Sequence, residues 1–345
     1  MKNKIGVLLV NLGTPQSAAP KHVFRYLNEF LTDGRVIDVP WLWRQILVRG
    51  LIVPKRYKNS AATYSQVWTE EGSPLLIHGR SVCTKLQEEL GDEFFVKLAM
   101  RYQKPSIPDA LAEFEELRLT HLVILPLFPQ YASATTGSVH QKVMEVVQKW
   151  HIIPSISFIN NYAKDNGFLD AFAAIGSTHN PNDYDRVLFS FHGLPRKHLI
   201  KADKSSNCLT RTECCEKPCG KNADCYRAQC YGTAQGIASR LNLSAEKYGI
   251  TFQSRLGKEP WTEPYTDETI VKLAKAGTKK LLVFAPAFTA DCLETTYEIA
   301  DEYAHLFKSH GGERLQLVES LNDHPMWIQA LANLTQQYCP KQVKA

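Results

Sequence analysis

Residues 4–15 read KIGVLLVNLGTP, a short run of β-branched and aliphatic side chains that ends in a Gly-x-Pro turn. An uninterrupted apolar run of this length is typical of a strand that is buried on both faces. A similar sequence, RVLFSFHGLP, occupies residues 186–195, so that the two Gly-x-Pro turns lie 180 positions apart. LPLF at 125–128 and APAF at 285–288 form a second matched pair, in which Pro-x-Phe follows a strand. These repeats predict that the chain consists of two similar halves.

Each half contains four such runs. The predicted strands are 4–11, 94–101, 120–128 and 151–159 in the first half, and 186–192, 249–256, 279–286 and 315–320 in the second. Helix-like stretches lie between them, as at 106–118 and 137–149. This alternation predicts two α/β domains, each with a mostly parallel sheet flanked by helices.

The hinge between the halves is expected near residues 150–160. The first domain then comprises residues 1–150, and the final segment, 323–345, is expected to pack back on it. The second domain comprises residues 151–322. A chain of 345 residues is long enough for two domains of ordinary size.

The composition is that of an ordinary globular protein, with 44% hydrophobic and 22% charged residues, which excludes the disordered, collagen-like and coiled-coil classes. The net charge of +5 is small and no block of Lys or Arg is present, so no nucleic-acid partner is expected. No apolar run approaches the roughly 20 residues of a membrane-spanning helix. The apolar start at 5–10 is too short for a secretion signal. Because the number of cysteines is odd, at nine, we expect a reducing, cytoplasmic location.

Ligands of open parallel sheets bind beyond the carboxyl ends of the strands, which directs attention to His192 and to residues 287–298. His192 ends a predicted strand just before a Gly-x-Pro turn, so its imidazole should project from the sheet edge on a constrained backbone. Such a histidine can accept protons near neutral pH or bind a metal. The alternative is a histidine that only completes a turn. Neither half contains a G-x-G-x-x-G or Walker motif, which argues against dinucleotide and nucleotide triphosphate enzymes.

Carboxylates are concentrated after the predicted strand 279–286. Glu294 and Glu298 are four residues apart, and Asp301 and Glu302 follow about one turn later. On a helix they share one face, where like charges repel unless solvent or a cation lies opposite. Apolar residues between them favour a cation path over a solvated surface helix. One imidazole with several carboxylates suits transient handling of a divalent first-row metal.

Six of the nine cysteines lie in the polar segment 207–230, which could not form a core by itself. Metal coordination is the expected source of its order, since four thiolates can hold zinc or an iron–sulfur cluster. The spacing of Cys214 and Cys219 is familiar from plant-type [2Fe–2S] loops and favours a cluster. Disulfides are the alternative, which a reducing compartment disfavours.

The segment 36–57 is predicted to be helical and amphipathic. Its apolar face carries Trp43, Ile46, Leu47 and Leu51, and another face carries Arg44 and Arg49. Such a segment can meet a membrane or a large apolar ligand. A buried helix with a basic rim is the alternative.

The chain resembles the ferrochelatases, which insert ferrous iron into protoporphyrin IX in the last step of heme biosynthesis. The motifs that carry the resemblance stand in the order of that family, namely NLGTP at 11–15, RY at 101–102, PQYASATTGS at 129–138, SFHGLP at 190–195, EPWTEP at 259–264 and FTADCLET at 288–295. The resemblance implies a lyase of the metal-chelatase class. It also implies two Rossmann-like domains, each a four-stranded parallel sheet flanked by helices, with a porphyrin cleft between them.

By this resemblance His192 is the base that removes pyrrole protons. Glu294 is the carboxylate that helps to deliver iron, with Glu298 behind it on the metal route. The positions that match the porphyrin cleft are Leu12, Arg101, Tyr102, Tyr131 and Trp261. The segment 36–57 matches a lip over the porphyrin, which in some relatives contacts the membrane. The expected partners are protoporphyrin IX and ferrous iron, and the chain is expected to be a monomer or homodimer.

The cysteine pattern departs from that of animal relatives, which bind a [2Fe–2S] cluster through one cysteine near the position of Ser133 and three close to the C-terminus. Here Cys339 stands alone near the C-terminus, so the internal segment is expected to supply the ligands, as in some bacterial relatives. Cys230 matches a cysteine of members without a cluster. The four ligands are therefore expected among Cys208, Cys214, Cys215, Cys219 and Cys225. Cys292 stands where animal relatives have a second histidine.

Two other functions fit the same residues. One is a chelatase for another metal or tetrapyrrole, and the other is a non-catalytic protein that binds a tetrapyrrole or an iron–sulfur cluster. A carrier does not need the row of carboxylates that begins at Glu294, and this favours the enzyme.

Overall fold

The structure, a computed structural model, describes residues 4–340 apart from 205, 207, 210–213, 217–221, 256 and 258. The chain divides into two compact units. The first unit takes in Met1–Phe128, Ala132–Asn161 and Asp323–Ala345, and the second takes in Pro129–Tyr131 and Tyr162–Asn322.

The first unit is built on a four-stranded parallel sheet with strand order β2-β1-β3-β4. Its strands are β1 Ile5–Gly13, β2 Phe94–Tyr102, β3 His121–Pro126 and β4 Ser155–Phe158. The central strand β1 is almost entirely buried, as its continuous apolar run predicts. The strand predicted over 151–159 is shorter because Pro154, which lacks a backbone N–H, immediately precedes it.

The second unit repeats this topology with strand order β6-β5-β7-β8, again all parallel. Its strands are β5 Arg186–His192, β6 Tyr248–Gln253, β7 Lys280–Phe284 and β8 Arg314–Leu317. The prediction of two similar domains, each with a four-stranded parallel sheet, is therefore confirmed.

Helices flank both sheets. Those of the first unit are α1 Pro20–Leu31, α2 Trp41–Gln45, α3 Val53–Val67, α4 Pro74–Leu90, α5 Ile107–Glu116 and α6 Ser138–Val147. Those of the second are α7 Asn166–Ser177, α8 Arg196–Ala202, α9 Tyr226–Arg240, α10 Thr266–Lys275 and α11 Ala304–Ser309. The chain then returns to the first unit with α12 Pro325–Gln337. Within the described residues, three segments have π-helical hydrogen bonding, and they are Ile46–Ile52, Ser133–Gly137 and Glu294–Tyr303.

Each sheet packs against its helices through a buried apolar core. In the first unit Leu8, Ile124 and Phe114 belong to one cluster, which joins β1 and β3 to α5. In the second unit Leu188 and Ile299 belong to the corresponding cluster. Because these cores hold the strands in register, the polar residues at their carboxyl ends are carried on a rigid edge.

The turn after β1 requires a glycine. Gly13 has φ +123°, and a Cβ at this position would lie 2.1 Å from the Tyr102 carbonyl oxygen. Only glycine adopts this conformation with so close a backbone neighbour. The Gly-x-Pro motif therefore fixes where Leu12 lies relative to the end of β2.

Candidate active site

His192 is the last residue of β5 and is partly exposed at the carboxyl edge of the second sheet. Its ring Nδ1 lies 2.7 Å from the Gly193 carbonyl oxygen. Since a carbonyl can only accept, Nδ1 carries the proton and the neutral ring keeps its lone pair on Nε2. The imidazole is thereby held in the tautomer that a general base requires.

Two aromatic rings flank this imidazole. The ring centroid of Trp261 lies 6.3 Å from that of His192, and the centroid of Phe288 lies 6.4 Å from it. Trp261 is placed by an antiparallel bridge to Pro195, the end of the Gly-x-Pro turn. The histidine therefore lies among flat apolar surfaces of the kind that bind a planar ligand.

A buried polar network lies beneath the edge. Gln253, the last residue of β6, accepts a hydrogen bond from Ser190 through its side-chain oxygen over 2.6 Å. Its side-chain nitrogen lies 3.5 Å from the Glu294 carbonyl oxygen, and its own carbonyl accepts from Gly193 N–H over 2.8 Å. Gln253 thus connects the backbone next to His192 with the backbone of Glu294.

Glu294 begins the helix predicted after β7, but this helix is a π-helix over Glu294–Tyr303. In π-helical hydrogen bonding each carbonyl pairs five residues on, so Glu298 lies nearly one turn after Glu294 and on the same side. The buried thiol of Cys292 is hydrogen-bonded to the Glu294 side chain. Cys292 therefore contacts the site through a carboxylate.

Glu298 is more enclosed than Glu294. Its carboxylate accepts from the Ser254 hydroxyl over 2.5 Å and from the Tyr303 hydroxyl over 2.7 Å. Burial raises the pKa of Glu298 above its usual value, although these two hydrogen bonds oppose the rise. The charge of Glu294 raises the same pKa and the charge of His192 lowers it. Glu298 therefore lies within electrostatic reach of both Glu294 and His192.

Glu298 also faces an open cavity of about 660 Å³ within the second unit. Polar and charged side chains dominate its lining, among them Glu302, Asp267, Arg255 and His305. Asp301 is exposed, and its carboxylate lies 3.4 Å from Nδ1 of His305. Of the four carboxylates in the predicted row, Glu298 and Glu302 line this cavity and Asp301 does not.

Arg101 and Tyr102 lie at the carboxyl end of β2 in the first unit, in a network centred on Asp33. Arg101 donates to the Asp33 carboxylate over 2.6 Å, and the Tyr102 hydroxyl donates to it over 2.9 Å. Tyr102 is 0% exposed, and burial raises its pKa. Arg101 is therefore the more exposed of the two residues, and the buried Tyr102 ring lies beneath its guanidinium. Leu12, predicted for the same cleft, is partly exposed at the end of β1.

Tyr131 and Trp261, the remaining predicted cleft residues, both belong to the second unit. The backbone N–H of Tyr131 donates to the Gln229 side chain of α9 over 2.7 Å. Tyr131 is partly exposed, as a ligand-contacting residue must be.

Four of the cysteines predicted as cluster ligands are described, whereas Cys219 lies outside the described residues. The sulfurs of Cys214 and Cys215 are 3.5 Å apart. Cys225 is hydrogen-bonded to Cys208 and to Cys215. The hydrogen bond from Cys215 lowers the pKa of Cys225 below its usual value, and burial raises that of Cys208 to about 12. Within the described residues, no three His, Cys, Asp or Glu side chains have the arrangement of a preformed metal site.

The segment 36–57 exposes large apolar side chains. Trp41 and Trp43 are each 66% exposed, and Leu42, Ile46 and Leu51 are also exposed. Arg44, by contrast, turns back and donates to the Val39 carbonyl over 2.8 Å. None of the helices in the described part of the chain combines the length and apolar character needed to cross a bilayer.

Sequence reasoning missed several side chains of this site. Gln253 ends β6, but the strand is predicted to run to residue 256, so the rule that selects His192 does not select it. Ser254 and Phe288 carry no comparable signal, because their place beside Glu298 and His192 depends on packing between distant segments. Tyr303 lies five residues after Glu298 in the same π-helix, a helix type that the sequence pattern does not indicate.

A sequence model of the ferrochelatase family matches residues 4–338. A curated ferrochelatase of Coxiella burnetii (strain Dugway 5J108-111) is 43% identical over 337 residues, covering 97% of this chain and 94% of the relative. The ferrochelatase of Legionella pneumophila (strain Lens) is 45% identical over 332 residues, covering 96% and 98%. Among solved structures, the sirohydrochlorin chelatase of Bacillus subtilis subspecies spizizenii in complex with cobalt aligns with a TM-score of 0.55 at 11% identity, over 97% of this chain and 95% of that one. A likeness at this identity shows a shared fold.

Proposed function

The chain belongs to the ferrochelatase family, and we propose that His192 and Glu294 carry out its reaction, the insertion of ferrous iron into protoporphyrin. The supporting observation is the hydrogen bond from His192 Nδ1 to the Gly193 carbonyl. In the neutral imidazole this hydrogen bond places the lone pair on Nε2, and the ring lies within electrostatic reach of the Glu298 carboxylate.

Proton removal is the step assigned to His192. Porphyrin metallation replaces two pyrrole N–H protons by one divalent ion, so both protons must leave as the metal enters. A neutral imidazole with Nε2 free can accept a pyrrole proton near neutral pH. Trp261 and Phe288 supply apolar surfaces for the macrocycle, and excluding water from them strengthens the local electrostatics.

Metal delivery is the step assigned to Glu294, with Glu298 behind it. Glu298 faces both the polar cavity and the charges of Glu294 and His192. A cation arriving through the cavity would meet Glu298 before Glu294, because Glu294 does not line it. Oxygen ligands of this kind bind a divalent metal without holding it as tightly as a site with several nitrogens or sulfurs would.

Macrocycle binding is assigned to the predicted cleft residues. Leu12, Tyr131 and Trp261 are partly exposed and can contact the ring. Arg101 can pair with an anionic propionate, and Asp33 holds its guanidinium in place. Tyr102 is buried, so we assign it to the support of Arg101.

The test is iron insertion followed by porphyrin absorbance. His192→Ala and Glu294→Gln are each expected to lower kcat by about 100-fold or more, because each removes a group that acts in the chemical step. His151→Ala and Glu313→Gln are the matched controls, since both residues are exposed. Near-normal turnover in either site variant, with a normal melting temperature, would remove the role assigned to that residue.

The same assay distinguishes a ferrochelatase from a chelatase for another metal or tetrapyrrole. Ferrous iron, cobalt and zinc are offered with protoporphyrin and with a second tetrapyrrole. The highest kcat/KM is expected for ferrous iron with protoporphyrin. Tight porphyrin binding without turnover for any metal would instead support a carrier.

A [2Fe–2S] cluster is proposed on four of Cys208, Cys214, Cys215, Cys219 and Cys225. The described members of this set already interact through their sulfurs. The guanidinium of Arg227 is hydrogen-bonded to Cys215, which compensates thiolate charge. Thiolate donors suit the group by their chemistry, and its own contribution when bound would be one-electron redox chemistry and a coordinate link across the segment.

The cluster has a direct test. Protein purified without oxygen is expected to be red-brown, with two irons and two labile sulfides per chain, as expected for a [2Fe–2S] centre. Cys225→Ser should lose the colour, whereas Cys83→Ser should keep it. A colourless chain that holds a single zinc would refute this assignment.

A peripheral membrane contact is proposed for the segment 36–57. Its support is the pair of tryptophans exposed on α2, together with the neighbouring exposed Arg49 and Lys55. Aromatic side chains with adjacent cations suit the interface of an anionic bilayer.

A further inference from the structure

Tyr226, the first residue of α9, contacts the backbone of the active site. It is 7% exposed, and its hydroxyl donates to the His192 carbonyl over 2.7 Å. The same peptide group is held at its other end, because the Gly193 N–H donates to the Gln253 carbonyl. The peptide plane between His192 and Gly193 is therefore fixed by hydrogen bonds on both sides.

The next carbonyl along the chain, that of Gly193, holds the imidazole. The Gly193 carbonyl accepts the Nδ1 proton of His192, so the direction of Nε2 depends on how the backbone at 192–193 is oriented. Loss of the Tyr226 hydroxyl would release one of the two restraints on that backbone. A displacement of about 1 Å in a reacting group can reduce a rate by about 100-fold.

The residues on either side of Tyr226 point to the cysteine segment. Cys225 is hydrogen-bonded to Cys215, and so is Arg227. Arg227 also donates to the Glu263 carbonyl, two residues beyond Trp261, over 3.3 Å. The first turn of α9 thus contacts the thiols through Cys225 and Arg227, and the active site through Tyr226 and Arg227.

We infer that Tyr226 is a positioning residue for His192 and that it transmits the state of Cys225, free, oxidised or metal-bound, to the imidazole. The inference rests on the proposed role of His192 as the base. Its physical basis is that Cys225, the N-cap of α9, is followed directly by Tyr226, the first helical residue, so a shift of one backbone position moves the other.

The first test is Tyr226→Phe in the full chain as purified. Removal of the hydroxyl is expected to lower kcat by about tenfold or more, because the base loses its alignment. The KM for porphyrin, and its Kd from fluorescence quenching, should change by less than about twofold, because the ring remains in place. Tyr248→Phe is the matched control, since that ring lies at the opposite end of β6. An unchanged kcat would overturn the positioning role, as would equal losses in kcat and porphyrin affinity.

The second test measures the link without turnover. Diethyl pyrocarbonate modifies the imidazole, and mass spectrometry gives the modification rate at His192. Cys225→Ser is expected to change this rate by about threefold or more when Tyr226 is present, and by much less in the Tyr226→Phe background, as for directly coupled residues. Equal changes in both backgrounds would overturn the link.

A replacement variant and a separate outcome for the proposed function complete the test of Tyr226. Cys208→Ser, which removes another thiol that is hydrogen-bonded to Cys225, replaces Cys225→Ser if that variant does not fold. A wild-type chain that inserted no iron would contradict the proposed function. The modification rates would still decide whether Tyr226 couples the two sites.

Discussion

The carboxylate of Asp33 binds several side chains at the carboxyl end of β2 and on α6. It accepts hydrogen bonds from Arg101, Tyr102 and Ser138 on a single oxygen, and the Arg35 N–H donates to the other. Burial alone would raise the pKa of Asp33, but these hydrogen bonds and the charge of Arg101 lower it below its usual value. The ionised form is therefore the one that the folded chain stabilises.

Asp33→Asn is expected to reduce the free energy of unfolding at neutral pH by about 1–3 kcal/mol, because the partly buried Arg101 loses its carboxylate partner. A carboxyl whose pKa is lowered on folding stabilises the fold above its unfolded pKa of 3.8, and this contribution is lost as the pH falls through the lower folded value. The variant should therefore lose less stability on acidification than the wild type does.

Urea unfolding at neutral pH and near pH 3 provides this comparison. Asp170→Asn is the control, because its partner Arg240 forms a more exposed pair, which is worth about 1 kcal/mol at most. Equal effects of the two substitutions would contradict the network described for Asp33.

At the scale of elements, the region from α2 through the π-helix Ile46–Ile52 has two opposed sides. Val48 and Val53 are buried against Leu31, which fixes the segment on the first unit. Trp41 and Trp43 remain largely exposed on α2. An exposed apolar surface on a segment that is anchored by buried residues is suited to contact with a membrane.

The double substitution of Trp41 and Trp43 by Ser is expected to weaken binding to vesicles of phosphatidylethanolamine and phosphatidylglycerol by about tenfold or more, since interfacial binding scales with buried apolar area. Cosedimentation with the vesicles measures it. Ile152 and Ile153, which are 78% and 54% exposed, provide the matched Ser control elsewhere on the same unit. If both double variants bind as the wild type does, α2 is not the contact.

At the scale of the whole molecule, the last helix completes a unit that began more than 300 residues earlier. Asp323 accepts from Ser81 over 2.5 Å and pairs with Lys85 over 2.6 Å, both on α4. Trp327 of α12 is 1% exposed. The first unit therefore depends on the C-terminal segment for part of its core.

Trp327→Ala is expected to cost about 3–5 kcal/mol of stability, the usual effect of removing a buried large side chain. Met326→Ala, at a neighbouring position that is 43% exposed, should change stability by less than about 0.5 kcal/mol. Chemical denaturation of both variants decides the matter. Similar losses would mean that α12 is not a core element.

The fold could be predicted almost completely from local patterns. Strand β5 has its predicted bounds, and most other strands differ from prediction by a few residues at their ends. The wider differences follow local chemistry, such as Pro154 before β4. The row of carboxylates that begins at Glu294 is predicted to be helical. Its π-helical hydrogen bonding is not predicted, because the spacing of charged residues does not distinguish a π-helix from an α-helix.

By itself the sequence determined two repeated parallel sheets and the residues that end their strands, because apolar periodicity and turn residues act over only a few positions. Tertiary structure alone decided that Asp33 binds Arg101 and Tyr102, that Ser254 contacts Glu298, and that Tyr226 contacts the backbone of His192. Each of these depends on where separate elements pack, and no local pattern specifies which distant side chain will fill a given space.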